Sequence, residues 1–513
     1  MAEDKPRKAG KKGLTHLTLV GFFWSFASTG VNAVLQFLVL GILSRLLAPA
    51  DFGVVNIANI IVIFAGFFYQ FGIAPSLIQR KVIDDNHIRS GFTFTMILSI
   101  LLTVVIWLIA PFFSSFYPDI PGLLEIVRGM SFLFLVNGVG AVARALNYRN
   151  LNFRIKARFG VTAYFVGYGV IGVASALLGF GAWALVWASI SQSIVYSALF
   201  LRASPHPKGF QLNRKALGEL LSFGSGFTLG QIFNRIANAS DNLIVGATLG
   251  GRAVGLYGRA YQLMVLPSQY FGQVLDNVLF TAMSKKQDEP ETLGAVYRCG
   301  VVAIALVVMP LSAFLFFLAP EFIHVLLGRR QDWDPIIVPF KIFALTMLFR
   351  TSYKMGDSLC RSAGVVFQRA LRQFIFSVLI VLGAWIGHYQ GIVGVTIGVS
   401  LAITVNFFSM AQLSLKLTGM TWGTFFGVHV PSLILTGVTA LETWLLADLL
   451  RGLGWPDLAV LFGSVGAVGV TLLALVWILP KFLLGDDGLW ILKTVGNYLP
   501  KSVQVQMNKL QYR

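Results

Sequence analysis

Residues 242–267 read NLIVGATLGGRAVGLYGRAYQLMVLP, two apolar stretches joined through a glycine pair at a tight turn, 249–252. Outward from that turn the apolar character persists over 218–248 on one side and 252–282 on the other. The hydrocarbon core of a bilayer is ~30 Å thick and a helix rises about 1.5 Å per residue, so a span needs about 20 mostly apolar residues. Both stretches are long enough, and the turn reads as a hairpin between two membrane helices. Twelve further segments qualify: 17–44, 52–78, 92–117, 123–147, 157–178, 182–201, 296–318, 335–359, 366–387, 391–415, 421–448 and 457–480. Gly66, Gly72, Pro75 and Pro267 interrupt them, which is tolerated where neighbouring helices satisfy the freed backbone groups.

The composition of the chain agrees. Its 513 residues are 56% hydrophobic and only 12% charged, with a mean hydropathy of +0.74. A soluble domain carries roughly 25% charge, and a disordered chain lacks apolar surface, so both classes are excluded. The expected fold is an all-α polytopic membrane protein with about fourteen transmembrane helices. Cys299 and Cys360 have no metal-ligand spacing and imply no disulfide framework, and the histidines form no metal motif. His324 reads as a surface residue of the longest outer loop, about 319–334.

The net charge of +18 could suggest nucleic acid, but its distribution argues otherwise. Of the 40 Lys and Arg residues, 29 fall on one side of the expected membrane (1–16, 79–91, 144–158, 202–217, 283–298, 361–372, 416–420 and the C-terminal tail) and five on the other (Arg45, Arg252, Arg329, Arg330, Arg451). Under the positive-inside rule both termini are cytoplasmic, and the excess charge is a topology signal and a contact for anionic lipids. No nucleic-acid partner is needed. The apolar run after MAEDKPRKAGKKG is long and lacks a cleavage site, so it reads as a first span and not a signal peptide.

Spans 1–6 and 7–12 read as two copies in the same orientation. At an offset of 202, Leu47, Gly53 and Ala58 fall on Leu249, Gly255 and Ala260, and Ala110-Pro111 answers Ala319-Pro320. The expected organisation is a basic tail (1–16), an N-lobe of helices 1–6 (17–201), a cytoplasmic linker (202–217), a C-lobe of helices 7–12 (218–415), two extra helices (416–480) and a cytoplasmic tail (481–513). The same offset aligns Thr29, Asn32 and Gln36 with Gln231, Asn234 and Asn238, each set on one helical face. Such stripes either face an internal cavity or bond neighbouring helices together. For Asn32 and Asn234 the cavity is the expectation; for Ser25, Ser28 and Thr29 it is helix contact.

Charges within spans are the sharper signal. Arg235 and Arg350 lie too deep to reach a headgroup by snorkelling, and intramembrane cations default to function, here contact with an anionic substrate. Asp241 and Arg259 flank the 249–252 turn at nearly equal distances and are expected to pair. Asp276 is a weaker candidate for proton coupling, and Arg128 and Lys341 sit near helix ends where snorkelling suffices. No P-loop appears, so direct ATP hydrolysis is not expected. A membrane glycan polymerase or ligase is disfavoured by the short outer loops and the repeat.

Particular stretches carry a family resemblance. FGIAPSLIQRK (71–81), ALNYRNLNF (145–153), the run from 242–267 through VLFTAMSKKQD (278–288), and GIVGVTIG (391–398) resemble bacterial polysaccharide exporters of the colanic acid exporter type. The resemblance runs from about residue 20 to 415. It implies the multidrug/oligosaccharidyl-lipid/polysaccharide exporter superfamily, with two six-helix lobes around a central cavity and two extra C-terminal helices. It further implies a flippase that moves undecaprenyl-diphosphate-linked oligosaccharide across the bacterial inner membrane for surface polysaccharide. No catalytic residue or bound cofactor is implied; the energy source would be an H+ or Na+ gradient, and a polysaccharide polymerase and chain-length regulator would be partners. A diphosphate calls for cations, best supplied by the bidentate guanidinium groups of Arg235 and Arg350. A glycan calls for amides such as Asn32, Gln36, Asn234 and Asn238. A peptidoglycan-precursor flippase and a multidrug/cation antiporter of the same superfamily remain open alternatives.

Overall fold

Proline and glycine at the expected span ends punctuate a chain that is otherwise helix after helix. The computed structural model describes residues 30–31, 34–70, 73–79, 83–149, 153–207, 209–284, 290–329, 331–363 and 365–496, among which there is no strand. Helix α1 (Val34–Leu46) turns into α2 (Pro49–Gln70), and Asp51 accepts a hydrogen bond from the Ala48 amide in that turn at 2.9 Å. A short α3 (Ile73–Gln79) precedes α4 (Asp85–Ser115) and α5 (Leu123–Arg149). Asp84 caps α4, its carboxylate accepting from the His87 amide at 2.9 Å. That amide, together with the His87 ring, holds the Asp84 carboxyl below its ordinary range. Helix α6 (Phe153–Tyr164) runs through a π-helical stretch, Phe165–Gly172, into α7 (Val173–Leu177), and α8 (Ala182–Ala203) follows.

Helix α9 (Arg214–Ser284) is broken at Gly250, whose φ of 80° and ψ of 178° make the turn expected at 249–252. Only glycine adopts that conformation without strain. Then come α10 (Pro290–Phe317), α11 (Ala319–Leu327), α12 (Ile337–Ser362), α13 (Val366–Gly387) and α14 (Gly391–Thr418). The chain continues as α15 (Trp422–Gly427), α16 (Val430–Gly452), α17 (Asp457–Ile478) and α18 (Pro480–Gly496). The range 481–513, read as a tail, thus begins with a helix, and Arg298 on α10 pairs with Asp487 on α18 at 2.9 Å. Among the described residues nine helical stretches are long and apolar enough to cross a membrane. They are fewer than the fourteen expected because 367–418 counts once although α13 and α14 divide it, because α1 and the apolar part of α2 are shorter, and because neither half of α9 is among them.

The chain divides into two compact units, Met1–Arg235 and Ile236–Arg513. The division falls inside α9, beyond the 202–217 stretch that sequence marks as a linker. Packing explains this: Leu220 of α9 joins Ile73, Leu77, Phe92, Val142 and Ala145 in a buried cluster of the first unit. The linker itself is tied down, with the Gln211 and Asn213 amides donating to Thr93 and Ser90 on α4. In the second unit α13 and α14 meet glycine to glycine. A Cβ on Gly394 would lie 2.2 Å from the Gly387 carbonyl oxygen, and one on Gly398 2.2 Å from that of Gly383. Close backbone approach replaces the hydrophobic drive that lipid cannot supply between helices.

At the α10–α11 end of the second unit, the stretch read as an outer loop contains α11 and docks α16 and α17. Leu318, Ala447, Val460 and Leu461 form its apolar centre. Arg451 grips the buried Glu321 with two bonds of 2.7 and 2.9 Å. His324 is not the surface residue expected; its side chain is 13% exposed and its ring bridges Asp334 at 2.8 Å and Asp457 at 3.1 Å. A loop that must anchor two added helices needs buried partners, and a helix supplies them.

Candidate functional site

Two helical stretches separated by a tight turn run antiparallel, so residues equally far from Gly250 lie at similar depth. Asp241 lies before the turn and Tyr257 after it, and the Tyr257 hydroxyl donates to Asp241 Oδ2 at 2.8 Å. Asp241 Oδ1 also accepts from the Asn242 amide and side chain at 2.8 and 3.2 Å. Both Asp241 and Tyr257 are buried. One helical turn on, Tyr261 repeats the face of Tyr257, and the two rings stack with centroids 6.2 Å apart. Phe343 of α12 closes the apolar side, 5.7 Å from Tyr257 and 5.6 Å from Tyr261.

Into this aromatic wall α12 brings Arg350, 7% exposed. Its Nη2 donates to the Tyr261 hydroxyl at 3.1 Å. The guanidinium carbon lies 5.9 Å from the Tyr261 ring and 5.5 Å from that of Tyr353, one helical turn along α12, so the cation is held over two π-faces. Tyr261, which accepts from Arg350, stacks on Tyr257, which donates to Asp241, so one chain of tyrosines links the cation to the carboxylate. The helices are locked where they meet: Ser268 Oγ donates to the Arg350 carbonyl at 3.3 Å, and Lys354 Nζ to the Ser268 carbonyl at 2.8 Å. The result is a guanidinium at fixed height with tyrosines around it. Such a group can take an anion through charge-assisted, fork-shaped bonds.

The sequence-derived candidates divide around this site. Arg350 and Asp241 each bond to one of the two stacked tyrosines, Tyr261 and Tyr257. Arg259, expected beside Asp241, donates to Gln262, and the bonds shown to Asp241 come from Tyr257 and Asn242. Tyr257 faces Asp241, and Arg259 lies two residues, about 200°, around the helix from it. Gln36 is half-buried in α1. Asn32 lies outside the described residues. So do the side chains of Asn234, Arg235, Asn238 and Asp276, whose backbone belongs to α9. Near the end of α12, Asp357 receives both forks of Arg369, at 2.5 and 3.2 Å. Tyr257, Tyr261 and Tyr353 were not singled out from sequence. Their signal was there: Tyr257 and Tyr261 at i, i+4 and Arg350 and Tyr353 at i, i+3 each share a helical face.

The family model described as polysaccharide biosynthesis protein matches residues 42–338. The lipopolysaccharide biosynthesis protein WzxC of Escherichia coli (strain K12) is 24% identical over 403 residues, 77% of this chain and 80% of its own length. A solved lipid II flippase MurJ, in an inward closed conformation, gives a TM-score of 0.67 at 14% identity, covering 87% of this chain and 99% of its own. An inward-facing multidrug resistance MATE family transporter of the MOP superfamily gives 0.61 at 17% identity, over 76% and 95%. At these identities the two structures bear on the fold alone.

Proposed function

The chain belongs to the polysaccharide biosynthesis protein family that its residues 42–338 match, and from that premise we propose that it flips an undecaprenyl-diphosphate-linked oligosaccharide from the cytoplasmic to the periplasmic leaflet of a bacterial inner membrane. The observation that carries the reading is Arg350, a guanidinium buried within α12 and walled by Tyr261 and Tyr353. Cations in hydrocarbon are costly and are kept where they serve a charged ligand. A diphosphate matches the fork of a guanidinium, tyrosine hydroxyls suit the first sugars, and the polyprenyl tail needs only lipid. A site for cationic drugs would call for acids without this arginine.

The cycle follows from one competition. Asp241 and the diphosphate both draw on Arg350, so substrate binding releases Asp241 to take a proton or Na+ from the gradient. Discharge of the substrate returns Arg350 to Asp241 and resets the empty carrier. In this reading fourteen spans form two repeat-related lobes of six, with two added helices, and alternating access rocks the lobes about the site. Arg235, Asn32, Gln36, Asn234 and Asn238 are assigned to the same cavity, Asp276 to ion coupling, and both termini to the cytoplasm.

The test replaces Arg350 by Lys and by Gln and measures surface polysaccharide at matched protein levels. Lys keeps the charge but loses the fork and should restore export in part, while Gln should abolish it. Normal export from Arg350→Gln would overturn the mechanism.

A further inference from the structure

A second buried guanidinium lies in the first unit, and among the described residues no carboxylate pairs with it. Arg144 on α5 is 9% exposed. Its Nη2 donates to the carbonyl of Asn137 on its own helix at 2.6 Å and its Nη1 to Ser197 Oγ on α8 at 3.1 Å. The side chain can fold back this way because Gly140 has no side chain: a Cβ there would lie 2.7 Å from Arg144 Nη1. A guanidinium has five N–H donors, and these two bonds occupy two of them.

Around the unoccupied donors the structure gathers groups suited to phosphate. The guanidinium carbon lies 5.9 Å from the ring of Tyr196 on α8. The hydroxyls of Tyr196 and of Tyr148, one turn along α5 from Arg144, are 3.0 Å apart. Lys156, exposed on α6, places its Nζ 4.8 Å from the Tyr148 ring. A path therefore leads from an exposed ammonium past two half-buried tyrosines to a buried guanidinium. Arg144 stands five residues before Arg149, the last residue of α5. At about 1.5 Å per residue that is a depth of about 8 Å, close to where lipid phosphates lie beside the hydrocarbon.

We propose that Arg144, Lys156, Tyr148 and Tyr196 form a binding site for a lipid phosphate at the cytoplasmic end of α5, α6 and α8. Its anion supplies the counter-charge that the protein omits. The inference rests on the orientation and flippase reading above and adds to them a station that meets the phosphate at the leaflet, apart from Arg350. A merely structural Arg144, pinning α5 to α8, would support folding without affecting lipid binding.

The experiment uses the purified full chain and measures binding of undecaprenyl diphosphate and, separately, of phosphatidylglycerol. Variants are Arg144→Gln, Arg144→Lys and the exposed Lys156→Gln, with Arg128→Gln at the far end of α5 as control. Each lost charge-assisted contact should weaken phosphate binding about tenfold. Arg144→Lys should recover part of the loss, and Arg128→Gln should bind normally. Weakening for undecaprenyl diphosphate alone assigns the site to the transported lipid; weakening for both lipids assigns it to lipid phosphate in general. Unchanged binding of both lipids in Lys156→Gln and in a folded Arg144→Gln overturns the proposal. Surface polysaccharide from Arg350→Gln is scored alongside, so failure of the flippase reading registers separately from failure of this site.

Discussion

Arg144 in the first unit and Arg350 in the second are both buried guanidinium groups near tyrosine rings, yet their surroundings differ in one respect. Arg350 is linked through Tyr261 and Tyr257 to Asp241, a buried carboxylate of its own unit. Arg144 has a carbonyl and a hydroxyl for acceptors. A buried cation needs compensation wherever it lies. One unit holds a buried carboxylate on the same tyrosine wall; in the other, no described carboxylate pairs with the cation, and on the proposed reading its counter-charge comes from outside. The contrast separates a site that exchanges its anion during a cycle from one that recruits an anion and holds it.

The comparison breaks most visibly if the second unit is made to resemble the first. Asp241→Asn keeps a hydrogen-bond acceptor for Tyr257 but removes the carboxylate from the field of Arg350. The folded protein should lose about 3 kcal/mol, the usual cost of leaving a buried charge without its partner. Unfolding of the purified protein in increasing SDS measures it. A loss below about 1 kcal/mol would mean that Asp241 is not the compensating charge. The double variant Asp241→Asn, Arg350→Gln should recover part of the loss, which a double-mutant cycle detects.

In the first unit the matching disturbance is steric. Gly140→Ala would place a methyl group 2.7 Å from Arg144 Nη1 and 2.5 Å from Ser197 Oγ. Overpacking should cost about 2 kcal/mol in the same unfolding measurement. At Gly437 in α16 an added Cβ meets nothing within 4 Å, and Gly437→Ala should stabilise by about 0.5–1 kcal/mol through helix propensity. Equal effects at the two glycines would show that Arg144 does not rest where the structure places it.

Supplying the missing acid sharpens the comparison from the other side. Ser197 already touches Arg144, so Ser197→Asp would give the guanidinium an internal counter-charge. Affinity for undecaprenyl diphosphate should then fall about tenfold, or ~1.4 kcal/mol. Unchanged affinity would separate Arg144 from lipid binding.

These contrasts also mark what the sequence could and could not reveal. Hydropathy and length identified the helices, and the glycine pair at 249–252 located the hairpin that sets Asp241 opposite Tyr257. Depth was legible; direction around the helix, which turns Tyr257 to Asp241, was not. The charge count assigned Arg144 to the positive 144–158 stretch, because a count along the chain does not register an arginine folded back over Gly140. Helix α11 and the bridging of His324 escaped for a related reason: their stability comes from α16 and α17, more than 100 residues later. Local patterns report the period of a helix and its ends. They do not report which side chain a distant helix will meet.

The smallest effect tests the finest detail, the pair of hydroxyls on Tyr148 and Tyr196. They lie 3.0 Å apart in a half-buried setting, each serving as the other's partner. Tyr148→Phe alone leaves the Tyr196 hydroxyl without that partner, as Tyr196→Phe does for Tyr148, and each should cost about 1 kcal/mol. Replacing both removes donor and acceptor together and should cost less than either alone, because no polar group is left stranded. The lipid-phosphate site makes a further demand on the same double variant. If the hydroxyls only bond to one another, it should bind undecaprenyl diphosphate as the parent does. If they also face the phosphate, its affinity should fall by about fivefold, roughly the worth of one neutral hydrogen bond, even as its stability recovers. Stability and affinity moving in opposite directions would identify the pair as part of the site; both recovering together would reduce it to a clasp between α5 and α8.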